Sequence, residues 1–239
     1  MLFIAQLFFT HILFSAQTIH VFGDSHSSFC FSNNGKLAPH ELSYFQIESN
    51  EQQLSIPFSI KWLGSITMHR VGRDGIKFLN LKNHGIQEND IAVFVFGEID
   101  ARAHILKQRD EHNRPTEEII NTLVSNYMQT LNENKKQYNN ITIISMSIIP
   151  PTDRCFNAKH PFYGTLNDRI AVTKQLNEKL KNECVMHGFE FLDIFDLCAT
   201  PEGALKFEMS DTCVHINFQH NYIIRKKLID QLLEKKILS

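Results

Sequence analysis

The sequence lacks the features that mark several classes of protein. Its 24 Lys and Arg residues nearly balance its 26 Asp and Glu residues, which excludes the basic surface of a nucleic-acid-binding protein. The five cysteines include no CxxC pair and the 12 histidines show no HExxH spacing, which argues against a zinc ribbon, a thioredoxin-like site or a similar metal site. We therefore expect no metal and no cofactor, and scattered reduced or buried thiols.

The chain also lacks internal repeats, low-complexity tracts and linkers, so its 239 residues are expected to form one domain. Only residues 1–16 stand apart, because Leu2–Phe14 is a nearly continuous apolar run. That run is too short for a stable membrane span but has the length of a signal-peptide core. Residues 1–16 are thus either an export signal of a secreted or periplasmic protein, or an N-terminal apolar segment of a cytoplasmic one. Residues 17–239 would be the domain, in an oligomeric state that stays open.

Short β-type runs alternate with amphipathic helical segments through the predicted domain. They predict strands at 18–23, 57–63, 91–96, 141–149 and 189–194, and helices at 117–138, 166–187 and 217–237. Thr116 is the predicted N-cap of the first of these helices, and Gly188 the stop of the second. This alternation predicts an α/β fold with a mostly parallel sheet, in which ligands bind at the carboxyl ends of the strands.

Three groups of residues have side chains suited to catalysis. Two of them follow predicted strands, and the third precedes the last predicted helix. Gly23-Asp24-Ser25 directly follows the first strand, where a serine on a tight turn exposes its hydroxyl beside the N–H groups of the next helix. Gly97-Glu98-Ile99-Asp100 follows the third strand, with Arg102 close behind. Asp211 and His215 share one short loop, in which the histidine can deprotonate a serine and the carboxylate can orient the histidine.

The order of these blocks resembles that of the SGNH/GDSL hydrolase superfamily across most of the chain. The match consists of Val21 to Ser25, Gly64 after Trp62-Leu63, Gly97 to Asp100, and Asp211 followed by Val214-His215-Ile216-Asn217. Each block is short, so the specificity lies in their order and spacing. The third block also resembles a bacterial and viral subgroup. The resemblance implies a flavodoxin-like three-layer α/β/α sandwich with a mostly parallel sheet of about five strands.

The resemblance further implies roles for individual residues. Ser25 would be the nucleophile, His215 its general base and Asp211 the carboxylate that orients His215. The backbone N–H groups of Ser25 and Gly64 would form the oxyanion hole. The implied activity is that of a serine esterase that hydrolyses a small carboxylic ester, such as an O-acetyl group on a carbohydrate, through an acyl-enzyme. The expected partner is that small-molecule or glycan ester.

Two departures from the family pattern bear on this interpretation. In the family's third block an asparagine side chain supplies another oxyanion donor, and Ile99 stands in its place here. Losing such a donor costs about 3–4 kcal/mol in a well-studied protease. In the last block Asp211 precedes His215 by four residues rather than the usual three, which makes the role of Asp211 less secure than that of His215.

Three further residues are candidate substrate contacts. Arg102 is a candidate replacement donor or substrate anchor, with a salt bridge to Glu98 or Asp100 as the alternative. Asp100 and His26 are the others, although His26 is expected to lie at the cleft rim or in solvent rather than to touch substrate. Asp24 is expected to fix its turn through hydrogen bonds rather than to exchange protons.

Two other functions use the same fold. An O-acyltransferase would employ the same residues while excluding water from the acyl-enzyme. A non-catalytic glycan-binding protein would fit the loss of a donor at Ile99. The sequence alone does not separate these from the esterase.

Overall fold

A computed structural model describes residues 12–14, 17–49, 52–154 and 161–238, and it shows one sheet covered by helices on both faces. The strands are β1 (Ile12–Phe14), β2 (Ile19–Gly23), β3 (Glu41–Ser49), β4 (Gln52–Trp62), β5 (Ile91–Val95), β6 (Thr142–Met146) and β7 (Glu190–Leu192). The helices are α1 (Ser25–Phe31), α2 (Met68–Asp74), α3 (Ile105–His112), α4 (Thr116–Lys135), α5 (Leu166–His187), α6 (Phe195–Cys198) and α7 (Tyr222–Glu234). A π-helical turn at Asp100–His104 leads into α3.

The sheet places β2 near its centre. Strand β2 lies between β4 and β5, and β6 and β7 continue the sheet, all in parallel pairing. Strand β3 runs antiparallel along one edge of β4, so β1 and β2 share its other edge. The five predicted parallel strands are all present, and the predicted three-layer α/β/α fold is confirmed.

Hydrophobic cores lie on both faces of the sheet. One core packs α2 to α5 against Phe22 and Phe94 of the central strands. The other packs α1 and α7 against Val21 and Val93. Strands β2 and β5 are buried along their whole length, which explains why their sequences are continuous apolar runs rather than alternating ones. Within the described residues, no helix is both long and apolar enough to cross a membrane.

Several boundaries differ from the predicted ones. Strand β3 was not predicted, because its alternation is unusual: the apolar Leu42 and Tyr44 are exposed, while the polar Ser43 between them is buried. Residues 12–14 of the predicted N-terminal segment pair with β4, while residues 1–11 lie outside the described part of the chain, and the division at residue 16 stays a prediction. Helix α4 begins at Thr116 with Pro115 at the cap position, so the predicted Thr116 cap is wrong by one residue.

The end of β2 has room only for glycine. A β-carbon on Gly23 would lie 2.4 Å from the carbonyl oxygen of Val95 and 2.8 Å from the β-carbon of Ser27. The first contact is with backbone of the neighbouring strand β5, which cannot rotate away. The glycine therefore lets β2 and β5 stay in register at the point where the chain turns into α1.

We expect Gly23→Ala to reduce the free energy of unfolding by about 2 kcal/mol or more, because the added methyl group overpacks a rigid contact. Gly85→Ala is the matched control. Its β-carbon would meet nothing within 4 Å, but its φ of +77° is left-handed, so only about 1 kcal/mol should be lost. Chemical denaturation of both variants measures the difference, and equal losses would contradict the steric argument.

Candidate active site

The turn between β2 and α1 presents Ser25. Asp24 is the N-cap of α1, and its Oδ1 accepts a hydrogen bond from the backbone N–H of His26 at 2.9 Å. The role predicted for Asp24, fixing this turn, is confirmed. Ser25 is the first residue of α1 and is half-buried at the carboxyl end of the central strand. Its hydroxyl therefore lies where ligands approach this type of sheet.

Ser25, His215 and Asp211 form a continuous hydrogen-bonded chain. The Oγ of Ser25 lies 2.8 Å from Nε2 of His215. On the other side of the ring, Nδ1 of His215 lies 3.0 Å from Oδ2 of Asp211. Because the carboxylate only accepts, Nδ1 carries the proton and Nε2 is left to accept the proton of Ser25. The structure thus brings together the three residues predicted as the triad in the geometry of a nucleophile, a base and an orienting acid.

The four-residue spacing between Asp211 and His215 is accommodated by a tight loop. The backbone N–H of Asp211 donates to the carbonyl oxygen of His215 at 3.0 Å, and Ser210 and Ile216 form an antiparallel bridge around them. Thr212 takes up the extra residue with a φ of +72°, in the left-handed region that is costly for a threonine. The spacing departure therefore does not prevent Asp211 from reaching His215.

The carboxylate of Asp211 is fixed by its own loop. Its Oδ1 accepts hydrogen bonds from the backbone N–H groups of Cys213 at 2.8 Å and His215 at 3.1 Å. Partial burial opposes ionisation, but the hydrogen bonds from His215 and these N–H groups hold the pKa of Asp211 below its ordinary value. Burial lowers the pKa of His215, which favours the neutral base.

One cysteine in this loop does not match the expectation of free thiols. Cys30, Cys184 and Cys198 are free and buried, as expected, but Cys213 is disulfide-bonded. Cys155 lies outside the described residues. The prediction was wrong for Cys213 because disulfide pairing depends on proximity in the fold, which the spacing of cysteines along the chain does not reveal.

Gly64 lies next to the Ser25 turn. The backbone N–H of Leu63 donates to the carbonyl oxygen of Gly23 at 2.9 Å. This hydrogen bond extends the pairing between β4 and β2 by one residue. Gly64 follows with a φ of +91° and no heavy atom within 4 Å of its β-carbon position. The space on the β-carbon side of Gly64 is therefore open, and its role as an oxyanion donor stays a prediction.

Asp100 supports the segment that follows Gly64. Its buried carboxylate accepts hydrogen bonds from the backbone N–H groups of Met68 at 2.7 Å and His69 at 3.3 Å, in the first turn of α2. Burial raises the pKa of Asp100 to about 7. The described contacts give Asp100 a supporting position behind the candidate oxyanion loop, and direct contact of this residue with substrate stays a prediction.

Arg102 makes the salt bridge that was the alternative to substrate anchoring. Its Nε donates to Oε1 of Glu98 at 2.7 Å and its Nη1 donates to the carbonyl oxygen of Pro161 at 2.8 Å. The side chain is buried between these partners. These contacts favour the structural alternative, and a substrate contact by Arg102 remains untested.

Two aromatic neighbours of His215 complete the site. The ring of Phe29 stacks on the imidazole of His215 with centroids 4.2 Å apart and an angle of 13° between planes. Phe29 was not predicted, although it lies four residues after Ser25 and hence on the same face of α1. The imidazole of His26 lies 4.9 Å from that of His215. His26 is only 3% exposed, so the expectation that it lies at the rim or in solvent is wrong.

Several solved structures with a similar fold are named as ester hydrolases. A GDSL-like lipase from Bacteroides thetaiotaomicron is 15% identical, with a TM-score of 0.54 and coverage of 92% of this chain and 89% of the other. A carbohydrate acetylesterase from Sinorhizobium meliloti is 13% identical, with a TM-score of 0.56 and coverage of 91% and 99%. An acetylxylan esterase from Geobacillus stearothermophilus is 12% identical, with a TM-score of 0.53 and coverage of 92% and 95%.

The chain therefore has the fold of the SGNH/GDSL hydrolases, and the resemblance predicted from its sequence blocks is confirmed at that level. The names of these neighbours also agree with the prediction of an enzyme acting on ester bonds. No protein-family model matches the sequence, and no curated protein does. The subgroup suggested by the third block stays a prediction.

The buried carboxyl of Asp100 predicts a particular pH dependence of stability. Folding raises the pKa of Asp100 from 3.8 to about 7. Between these pH values the carboxyl is ionised in the unfolded chain but protonated in the folded one, so the folded state loses stability as the pH rises. The Asp100→Asn variant has no such group and should not show this loss. The free energy of unfolding of the wild type, relative to Asp100→Asn, should fall by about 2–4 kcal/mol as the pH rises from about 4 to about 8. Denaturation at several pH values measures it.

Asp74→Asn is the control for this experiment, since Asp74 lies at the other end of α2 and its carboxylate is exposed beside Arg73. The wild type should show no such fall relative to this variant. Parallel stability curves for the wild type and Asp100→Asn would contradict the burial argument.

Proposed function

We propose that the protein is a serine esterase that hydrolyses small carboxylic esters through an acyl-enzyme on Ser25. The observation that carries the proposal is the unbroken chain from Ser25 Oγ to His215 Nε2 at 2.8 Å and from His215 Nδ1 to Asp211 Oδ2 at 3.0 Å. A serine, a base and an orienting carboxylate in this order suit nucleophilic attack on a carbonyl carbon.

The reaction has two steps. In the first, Ser25 Oγ attacks the ester carbonyl carbon while its proton passes to Nε2 of His215, and the leaving alcohol then takes that proton as the ester C–O bond breaks. In the second, water attacks the acyl-enzyme, gives a proton to His215 and releases the carboxylic acid as Ser25 recovers its proton. Asp211 stabilises the imidazolium formed in each step and stays ionised throughout.

The backbone N–H groups of Ser25 and Gly64 stabilise the oxyanion of both tetrahedral intermediates. Both belong to turns at the carboxyl ends of adjacent strands, and the hydrogen bond from Leu63 to Gly23 joins these turns. Donors on such rigid elements need little reorganisation as charge develops.

The substrate that we propose is an O-acetyl group on a carbohydrate. The support is that two of the neighbours with this fold are named as a carbohydrate acetylesterase and an acetylxylan esterase. An acyl acceptor other than water would make the same site an O-acyltransferase, and product analysis with a sugar acceptor present distinguishes the two.

Replacement of either end of the Ser25–His215 pair should abolish turnover. We expect Ser25→Ala and His215→Ala each to lower kcat for p-nitrophenyl acetate by at least about 1,000-fold, because the nucleophile or its base is removed. Hydrolysis followed by absorbance measures the rate. Labelling with a fluorophosphonate probe should occur in the wild type and be lost in Ser25→Ala.

Ser125→Ala is the matched control, since Ser125 is an exposed serine on α4, remote in sequence from the site. It should keep wild-type turnover and labelling. Undiminished hydrolysis by Ser25→Ala would refute the proposal. A wild type that binds acetylated sugars but neither turns over nor reacts with the probe would favour the glycan-binding alternative.

Restoring the family's asparagine should increase activity. Ile99 is half-buried just before the π-helical turn, in the position where the family has a third oxyanion donor. If that donor is lacking, Ile99→Asn should raise kcat by about 10-fold or more, while Ile99→Leu should not. An unchanged or lower kcat in Ile99→Asn would show that the site does not need this side chain.

A further inference from the structure

A second carboxylate–imidazole pair lies behind the candidate triad. Nδ1 of His26 lies 3.0 Å from Oδ1 of Asp24, and Nε2 of His26 lies 3.1 Å from the carbonyl oxygen of Val214. Val214 immediately precedes His215. The pair therefore connects the turn that carries Ser25 to the loop that carries its base.

Both nitrogens of the His26 ring face oxygen atoms that only accept hydrogen bonds. A neutral imidazole carries one proton, so it would leave one nitrogen lone pair against either a carboxylate or a carbonyl oxygen. The doubly protonated ring donates to both. In a site this deeply buried, an unmatched polar contact costs free energy, so the geometry requires an imidazolium.

We propose that His26 is a positioning residue that stays protonated and holds the Val214 carbonyl, thereby fixing His215 for catalysis. The proposal rests on the esterase function proposed above and adds to it a residue that acts through His215 rather than on substrate. It replaces the substrate contact expected for His26 from the sequence.

The charges around His26 support a buried cation. Asp24 faces it from the turn after β2, and Glu98 lies in the same small pocket at the end of β5, with Arg102 paired to Glu98. Although burial disfavours the charged ring, the Asp24 carboxylate, with Glu98 and the Val214 carbonyl, outweighs it, and together they raise the pKa of His26 to about 9. His26 therefore keeps its charge across the pH range in which a serine esterase works.

The cation acts on His215 by position and by charge. The two imidazole rings are 4.9 Å apart, so a positive His26 disfavours protonation of His215 and helps to lower its pKa beyond the effect of burial, while Asp211 and Glu98 oppose this. A neutral His215 is the form that accepts the proton of Ser25. Loss of the charge on His26 should therefore raise the pH below which activity falls.

Two variants separate the roles of position and charge. His26→Gln keeps an N–H donor for the Val214 carbonyl but removes the charge, and His26→Leu removes both. Both should move the acid limb of kcat/KM for p-nitrophenyl acetate upward by about one pH unit. Only His26→Leu should also lower kcat by about 100-fold, because the base is no longer held in place.

His20→Gln is the matched control. His20 is also a buried histidine paired with an aspartate, Asp90 at 3.1 Å, but it lies on β2 away from the triad. It should leave the acid limb and kcat unchanged even if stability falls. An unmoved acid limb in both His26 variants, with kcat values like that of His20→Gln, would overturn the proposal.

NMR of the wild type with ¹⁵N-labelled histidine tests the charge directly. We expect the His26 ring to carry protons on both nitrogens from pH 5 to about 8, and a neutral ring at pH 7 would overturn the proposal even if no variant folds. The His215 titration in His26→Gln should shift upward. Since neither titration needs substrate, they distinguish failure of this proposal from failure of the esterase proposal, which Ser25→Ala tests.

Discussion

The Asp24 carboxylate is the contact on which the geometry of the site depends. It caps α1 through the N–H group of His26 and also binds the ring of that residue. The cap sets where Ser25 lies, and the ring reaches the carbonyl of Val214 beside His215. Residues almost two hundred positions apart in the sequence thus meet through one buried carboxylate, which is packed against a strand end that only glycine can occupy.

Burying so many charges is costly unless each has a partner. The site meets this requirement pairwise: Asp24 with His26, Asp211 with His215, and Glu98 with Arg102. Backbone N–H groups orient the two aspartates in addition, so the Asp211 carboxylate is held even when His215 changes charge during the proposed reaction. Truncating one partner would leave the other charge buried and unpaired, so the two members of each pair depend on each other.

Much of the fold and the placement of the candidate triad followed from the sequence, because β2 and β5 are continuous apolar runs that end next to Gly23-Asp24-Ser25 and Gly97. The local sequence pattern is sufficient to place a motif that directly follows a strand. It was insufficient for β3, where Leu42 and Tyr44 are exposed while Ser43 is buried, and for His26, whose ring also reaches the distant Val214. It was insufficient for the disulfide at Cys213 as well. The contacts of Asp100 could not be predicted for the same reason, since its hydrogen-bond partners Met68 and His69 are more than 30 residues away.

The positive charge of His26 bears on the missing donor at Ile99. A cation that disfavours protonation of His215 also disfavours the imidazolium that forms as Ser25 attacks, which by itself would slow the reaction. The carboxylates of Asp24, 3.0 Å from the His26 ring, and of Asp211, 3.0 Å from the His215 ring, offset part of this cost. The proposed cation therefore serves the position and the neutral resting form of the base, and it does not replace the oxyanion donor lacking at Ile99. That loss has to be met by the backbone N–H groups proposed to bind the oxyanion, which is why the effect of Ile99→Asn on kcat is informative.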